Sequence, residues 1–98
     1  MRILWVDDLR RPPQCGVYVW AKSVNEAIAL LQKDQDWDCL DLDHDAGDYA
    51  KDGGDYIRIL DWLEKQNMKF NIHIHSFNPV GRLNMRAIIT KNHWHEIP

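Results

Sequence analysis

Asp7 and Asp8 directly follow the apolar run Ile3-Leu4-Trp5-Val6, and Asp43, His44 and Asp45 directly follow Cys39-Leu40-Asp41-Leu42. Both runs have the length and composition of a buried strand, so the carboxylates fall at strand ends. In open α/β sheets the working crevice lies outside the carboxyl ends of the strands. Carboxylates crowded there repel one another unless a cation or a proton sits between them. Mg²⁺, or Mn²⁺ in its place, takes one or two carboxylates and completes its shell with water and substrate phosphate. Asp8 and Asp43, supported by Asp7 and Asp45, are therefore predicted to hold one divalent ion. Such an ion would polarise a phosphoryl oxygen and activate a water. The plainer alternative is a set of solvated strand-end charges, and four carboxylates at two strand ends weigh against it.

A second group of residues fits phosphate chemistry. His73 and His75 share one side of a strand, because side chains alternate. His75 lies at the carboxyl end, where an imidazole can move a proton during phosphoester cleavage. His73 reads as a packed or surface histidine. His44 reaches the pocket only if it lies in a loop. Asn78-Pro79 is a helix start, with Asn as cap and Pro at the first helical position. The first turn of that helix offers unpaired N–H groups to an anion. Ser76 and Asn78 can add hydrogen bonds to phosphate oxygens, and Gly81 would let a ligand approach the backbone. Arg10 can clamp a phosphate or pair with the neighbouring aspartates. A zinc site built from His73, His75, His93 and His95 would need the last pair to fold back, and nothing in the sequence requires that.

The elements that must position these residues follow from periodicity. Residues 2–6 and 17–21 read as strands, separated by Arg10-Arg11-Pro12-Pro13, which forbids helix. Ser23-Val24-Asn25-Glu26 fits a capping box. Val24, Ala27, Ile28 and Leu31 then recur at helical spacing to about Lys33. Residues 37–43 form the third strand, 47–54 a polar loop, and Tyr56, Ile59, Leu60 and Leu63 the next helix, to about Gln66. Residues 70–75 read as the fourth strand, and Leu83, Ala87 and Ile88 as the apolar face of the last helix. Residues 92–98 fit a short strand or an extended tail equally. Strands alternating with helices predict a parallel sheet with crossover helices. An unpaired sheet edge would permit a dimer without implying one.

Composition narrows the function. The 98 residues are enough for one domain, spanning 1–98, with one modest core. A formal net charge of −3 supplies no basic field for duplex DNA. Five Trp are expected to serve packing. Cys15 and Cys39 make no disulfide framework, and Cys39 is expected as a buried thiol. The longest apolar stretch, 27–31, is too short for a membrane span. The chain opens straight into a strand, and a cytoplasmic location is the expectation.

With the elements in place, the motifs resemble response-regulator receiver domains. Asp7-Asp8 looks like the receiver acidic pair, Asp43 takes the phosphoacceptor position, and Ser76 falls at the switch Ser/Thr. The match to a divergent branch is closer. Asp7-Asp8-Leu9-Arg10 with Pro12, Leu42-Asp43-His44-Asp45, Asp52-Gly53, and His75-Ser76-Phe77-Asn78-Pro79-Val80-Gly81 with Asn84-Met85 resemble the cyclic-phosphate-processing receiver family over about residues 1–90. The resemblance implies a truncated receiver-like (flavodoxin-like) three-layer α/β fold with a mainly parallel sheet of four to five strands. It also implies, for a bacterial or phage protein, processing of 2′,3′-cyclic phosphate ends of RNA in repair or conflict systems. His75 and Asp43 would then be catalytic, and Ser76, Asn78, Gly81 and Arg10 would bind phosphate.

The departures bear on function. The chain is too short for a fifth strand–helix unit, and the proline-rich link replaces the first helix. No strand-borne lysine stands in for the receiver lysine, and Lys91 lies in or just after the last helix. His44-Asp45 replaces the Met-Pro-like pair that usually follows the acceptor. These losses weigh against phosphorelay signalling and leave the metal pocket intact. Two further readings stand beside the enzyme: a non-catalytic module that binds a nucleotide or phosphate, and a degenerate receiver phosphorylated on Asp43.

Overall fold

The computed structural model describes residues 1–13 and 16–98; the expectation for Cys15 lies outside the described residues. Strands β1 (Arg2–Val6), β2 (Val17–Ala21), β3 (Cys39–Leu42) and β4 (Ile72–Ile74) form one sheet in the order β2-β1-β3-β4, with every pair parallel. This is the order of a truncated receiver-like α/β fold, with its switch point between β1 and β3. Helix α1 (Val24–Lys33) lies between β2 and β3, a short 3₁₀ helix (Gly47–Asp52) in the expected polar loop and α2 (Ile57–Gln66) lie between β3 and β4, and α3 (Pro79–Lys91) follows β4.

Alternation along the strands separates two faces. Leu4, Val6, Leu40, Leu42, Ile72 and Ile74 enter one hydrophobic cluster, joined by Val24, Ala27 and Leu31 of α1, Ile59, Leu60 and Leu63 of α2, and Met85 and Ile89 of α3. The three helices therefore cover one face as a single layer. Among the described residues no second helical layer of the expected three-layer arrangement covers the other face, where the segment after β1 is the proline-rich link. The opposite face carries Trp5, Asp41 and His73 side by side across three strands. There the link begins to cover Trp5, whose indole N–H donates to the Arg10 carbonyl at 2.9 Å.

The helix starts behave as their residues dictate. The Ser23 hydroxyl accepts the Glu26 N–H at 3.0 Å, and the Asn78 side-chain carbonyl accepts the Gly81 N–H at 3.0 Å. Two expectations need correction. The buried face of α3 is Gly81, Met85 and Ile89 with Ile88 beside it, whereas Leu83 is 66 % exposed and Ala87 faces solvent. The buried residues recur every four positions, so one narrow stripe of this helix meets the core. The tail is neither a full strand nor free. The Ile72 N–H donates to the His95 carbonyl and the Ile97 N–H to the Ile72 carbonyl, forming one parallel bridge beyond β4. A bidentate Arg86–Glu96 pair at 2.8 and 2.7 Å ties this rudimentary fifth strand to α3. Cys39 is a buried free thiol, and burial pushes it up to about 11. Among the described residues no helix is long and apolar enough to cross a membrane.

Candidate metal and phosphate site

The carboxyl ends of β1, β3 and β4 bring Asp7, Asp43 and His75 together. One ligand atom from each lies within 4.8 Å of the others. Asp7 is 1 % exposed. Its Oδ1 accepts the backbone N–H groups of Leu9 and Arg10 at 2.9 and 2.8 Å, which explains how a carboxylate tolerates such burial. Burial pushes its pKa upward, but these two amides and His75 outweigh that and hold it below the ordinary range. Asp43 accepts the His44 N–H at 2.8 Å through Oδ1. Its Oδ2 is 3.9 Å from an Arg10 nitrogen.

Asp8 sits beside this pair under opposite forces. Burial, and then the charges of Asp7 and Asp43, raise its pKa. Its carboxylate occupies the space where a side chain on Gly47 would stand, which together with φ +55° favours glycine there. Beneath the pocket the fully buried Tyr56 hydroxyl donates to the Lys22 carbonyl at 2.7 Å. Burial and the charges of Asp8, Asp7 and Asp43 push its titration up. Three carboxylates thus share one site, with Arg10 as the neighbouring fixed cation.

His75 is held on all sides. Its Nε2 meets Asp7 Oδ2 at 2.9 Å and its Nδ1 meets Asp41 Oδ1 at 2.6 Å. An ionised carboxylate only accepts, so satisfying both contacts requires a hydrogen on each nitrogen, the imidazolium form. The Trp5 indole stacks on the ring at 3.9 Å and 2°, an arrangement favoured by a charged ring. Asp41 Oδ1 also meets His73 Nδ1 at 2.8 Å. Asp41 and Trp5 are the site residues that motif spacing misses. The available signal was an aspartate interrupting an apolar strand, opposite a strand bearing two histidines of the same parity.

The remaining candidates divide. Asp45 stands outside the three-residue cluster. It pairs with His44 Nδ1 at 2.8 Å and accepts from the Asn78 amide at 3.2 and 3.3 Å. The His44 contact, the larger effect, and the Asn78 amide keep its carboxyl low. His44, Asp45 and Asp55 form a second group within metal-ligand reach; neither group includes His73, His93 or His95. Ser76 is buried and its Oγ accepts the Asn78 N–H at 3.1 Å. Gly81 answers to a different neighbour from the one anticipated, because the His44 ring fills the space a side chain would need. Arg10 lies 3.6 Å from Asp7, and 3.5 Å from the His75 carbonyl, so it both pairs with the acids and borders the segment that leads into α3. The Lys91 amine pairs with Glu64 at 3.3 Å on α2, remote from the receiver-lysine role.

The carboxylates of Asp7 and Asp43, with Asp8 adjacent, fit a hard divalent cation such as Mg²⁺ or Mn²⁺, while both His75 nitrogens are engaged by Asp7 and Asp41. Among the described residues no enclosed cavity forms. The model of the cyclic-phosphate processing receiver domain family matches residues 2–91. No curated protein matches the chain.

Proposed function

The chain belongs to the cyclic-phosphate processing receiver domain family, and from that premise we propose that it is a metal-dependent phosphoesterase that opens a cyclic phosphate. The substrate class is the 2′,3′-cyclic end of RNA or a nucleotide carrying that group, in RNA repair or phage–host conflict. The observation that carries this reading is the convergence of Asp7, Asp43 and His75 at the switch point, beside the first turn of α3.

In this reading Asp7, Asp8 and Asp43 hold Mg²⁺ or Mn²⁺, and Asp45 braces Asn78 and His44 from outside. The ion, when bound, supplies polarisation of a phosphoryl oxygen. The N–H groups at the α3 start and the Ser76 hydroxyl hold the phosphate, while Arg10 neutralises its outer oxygens. A water oxygen forms the new P–O bond as one ring P–O bond breaks. Asp43 takes the water's proton, and His75 gives its Nε2 proton to the departing ribose oxygen. Asp41 keeps Nδ1 protonated and the ring oriented.

Titration calorimetry of Mg²⁺ and Mn²⁺ on wild type and Asp43→Asn, with and without a 2′,3′-cyclic nucleotide, tests this when opened product is assayed in parallel. Ring opening by wild type, with metal binding and turnover both lost in Asp43→Asn, is the expected result. Turnover surviving in Asp43→Asn would overturn the assignment. One observation favours a second reading, a binding module: both His75 nitrogens are already engaged by carboxylates. Tight metal-dependent binding with no opened product would select it.

A further inference from the structure

Phe77 is 84 % exposed, although it stands between the buried Ser76 and the cap residue of α3. The segment presenting it is pinned. The Asn78 N–H donates to Ser76 Oγ, and Arg82 donates to the Ser76 carbonyl at 3.1 Å. A phenyl ring held in water adds nothing to the core, so its place there asks for a partner. The Arg10 guanidinium lies 4.5 Å from the ring centroid, and the same group approaches Asp7, Asp43 and the His75 carbonyl. An aromatic ring, a planar cation and a phosphate-binding helix start therefore share one rim. Aromatic rings and guanidinium planes stack unpaired bases. A nucleotide with its phosphate at the α3 start projects its ribose and base outward, toward this rim. Leu9, Val80 and Leu83 are also exposed and would suit a protein partner. The cation on the ring and the adjoining phosphate donors favour a base.

We propose that Phe77, with Arg10 against its ring, stacks the base of the nucleotide whose cyclic phosphate enters the site. The proposal rests on the phosphoesterase reading above and makes it selective for nucleotides over bare sugar phosphates, with little preference among bases. The test is calorimetric binding of 2′,3′-cyclic AMP, 2′,3′-cyclic CMP and ribose 2′,3′-cyclic phosphate without a base. The proteins are wild type, Phe77→Ala, Phe77→Leu and Phe77→Trp. Wild type binds both nucleotides more tightly than the base-free ligand. Phe77→Ala and Phe77→Leu weaken nucleotide binding by roughly 5- to 150-fold, the range of one lost stacked base, and leave the base-free ligand unchanged. Phe77→Trp retains wild-type discrimination. Thermal melts of all variants should match wild type, since the ring is outside the core. Equal binding of nucleotide and base-free ligand by wild type, or unaltered binding by Phe77→Ala, would overturn the proposal and leave the phosphoesterase reading standing; Phe77 would then belong to a protein-contact face with Val80 and Leu83. Failure of wild type to bind any cyclic phosphate would overturn both.

Discussion

Replacing Asp41 with Asn keeps the shape of the side chain and removes its charge. Asp41 is 9 % exposed, and its Oδ1 accepts from His75 at 2.6 Å and from His73 at 2.8 Å. The amide oxygen of Asn can face both rings, so the bonds survive as neutral ones. A charged hydrogen bond contributes about 1.5–3 kcal/mol and a neutral one about 0.5–1.5 kcal/mol, which makes the loss roughly 1–1.5 kcal/mol per bond. The His73 side chain is 35 % exposed, so its share is discounted for solvent screening. The net cost is about 2 kcal/mol. For a domain of this size each kcal/mol lowers Tm by about 4–8 °C, which gives a fall on the order of 10 °C. Thermal melts at pH 7 measure it, and nitrogen-edited NMR at the same pH reads the imidazole protons. Wild type should show a slowly exchanging Nδ1–H on His75, and Asp41→Asn should lose that protection. A Tm within about 2 °C of wild type, with the Nδ1–H still protected, would refute the view that Asp41 holds His75 in place.

The two adjacent aspartates should show opposite pH signatures. Asp7 has a depressed folded pKa, so its stabilisation is present above the ordinary carboxylate value of about 4 and is lost as pH falls through the folded value. Melts from pH 7 to pH 2.5 should show the deficit of Asp7→Asn shrinking with acid. Asp8 has a raised folded pKa, so its charged form penalises the fold above that value, and the penalty vanishes below about pH 4. Without divalent ions Asp8→Asn should be more stable than wild type at pH 7, and a less stable variant would contradict the crowding described for the pocket. Gly81→Ala should cost about 1–3 kcal/mol by overpacking against the His44 ring. Denaturant titrations should show recovery when His44→Ala is added, and a cost unchanged in the double variant would mean that the ring is not the obstacle.

The element order was legible because each run of residues had one period and clear punctuation. Val24, Ala27 and Leu31 mark α1 and are all buried in it, and Asn78-Pro79 starts α3 as the cap and proline dictate. The strand-end position of Asp7 and Asp43 also follows from local pattern. What local pattern could not show is which of two apolar stripes a helix turns inward. Leu83 and Ala87 fit the helical spacing as well as Met85 and Ile89 do, and only packing against the sheet separates them. The partnership of Asp41 with His73 and His75 joins residues 32 and 34 positions apart, and it exists only once β3 and β4 are in register. Gly81 misled for a related reason. A glycine signals close approach, but the approaching group, His44, arrives from another loop. Arg10 was legible as a choice between two roles, and the structure places it among the aspartates and against Phe77.

The parallel stack of Trp5 on His75 gives the protein an optical reporter of its own. Indole emission is quenched by a nearby protonated imidazole far more than by a neutral one, and here the two rings are in contact. Any event that removes the Nε2 hydrogen, whether proton loss or coordination by an added ion, should brighten and shift the emission of this one indole. Trp20, Trp37, Trp62 and Trp94 contribute a background that a Trp5→Phe difference spectrum subtracts. The charge state of a single buried ring is thereby open to stopped-flow observation during turnover, with no attached label and no substrate chromophore.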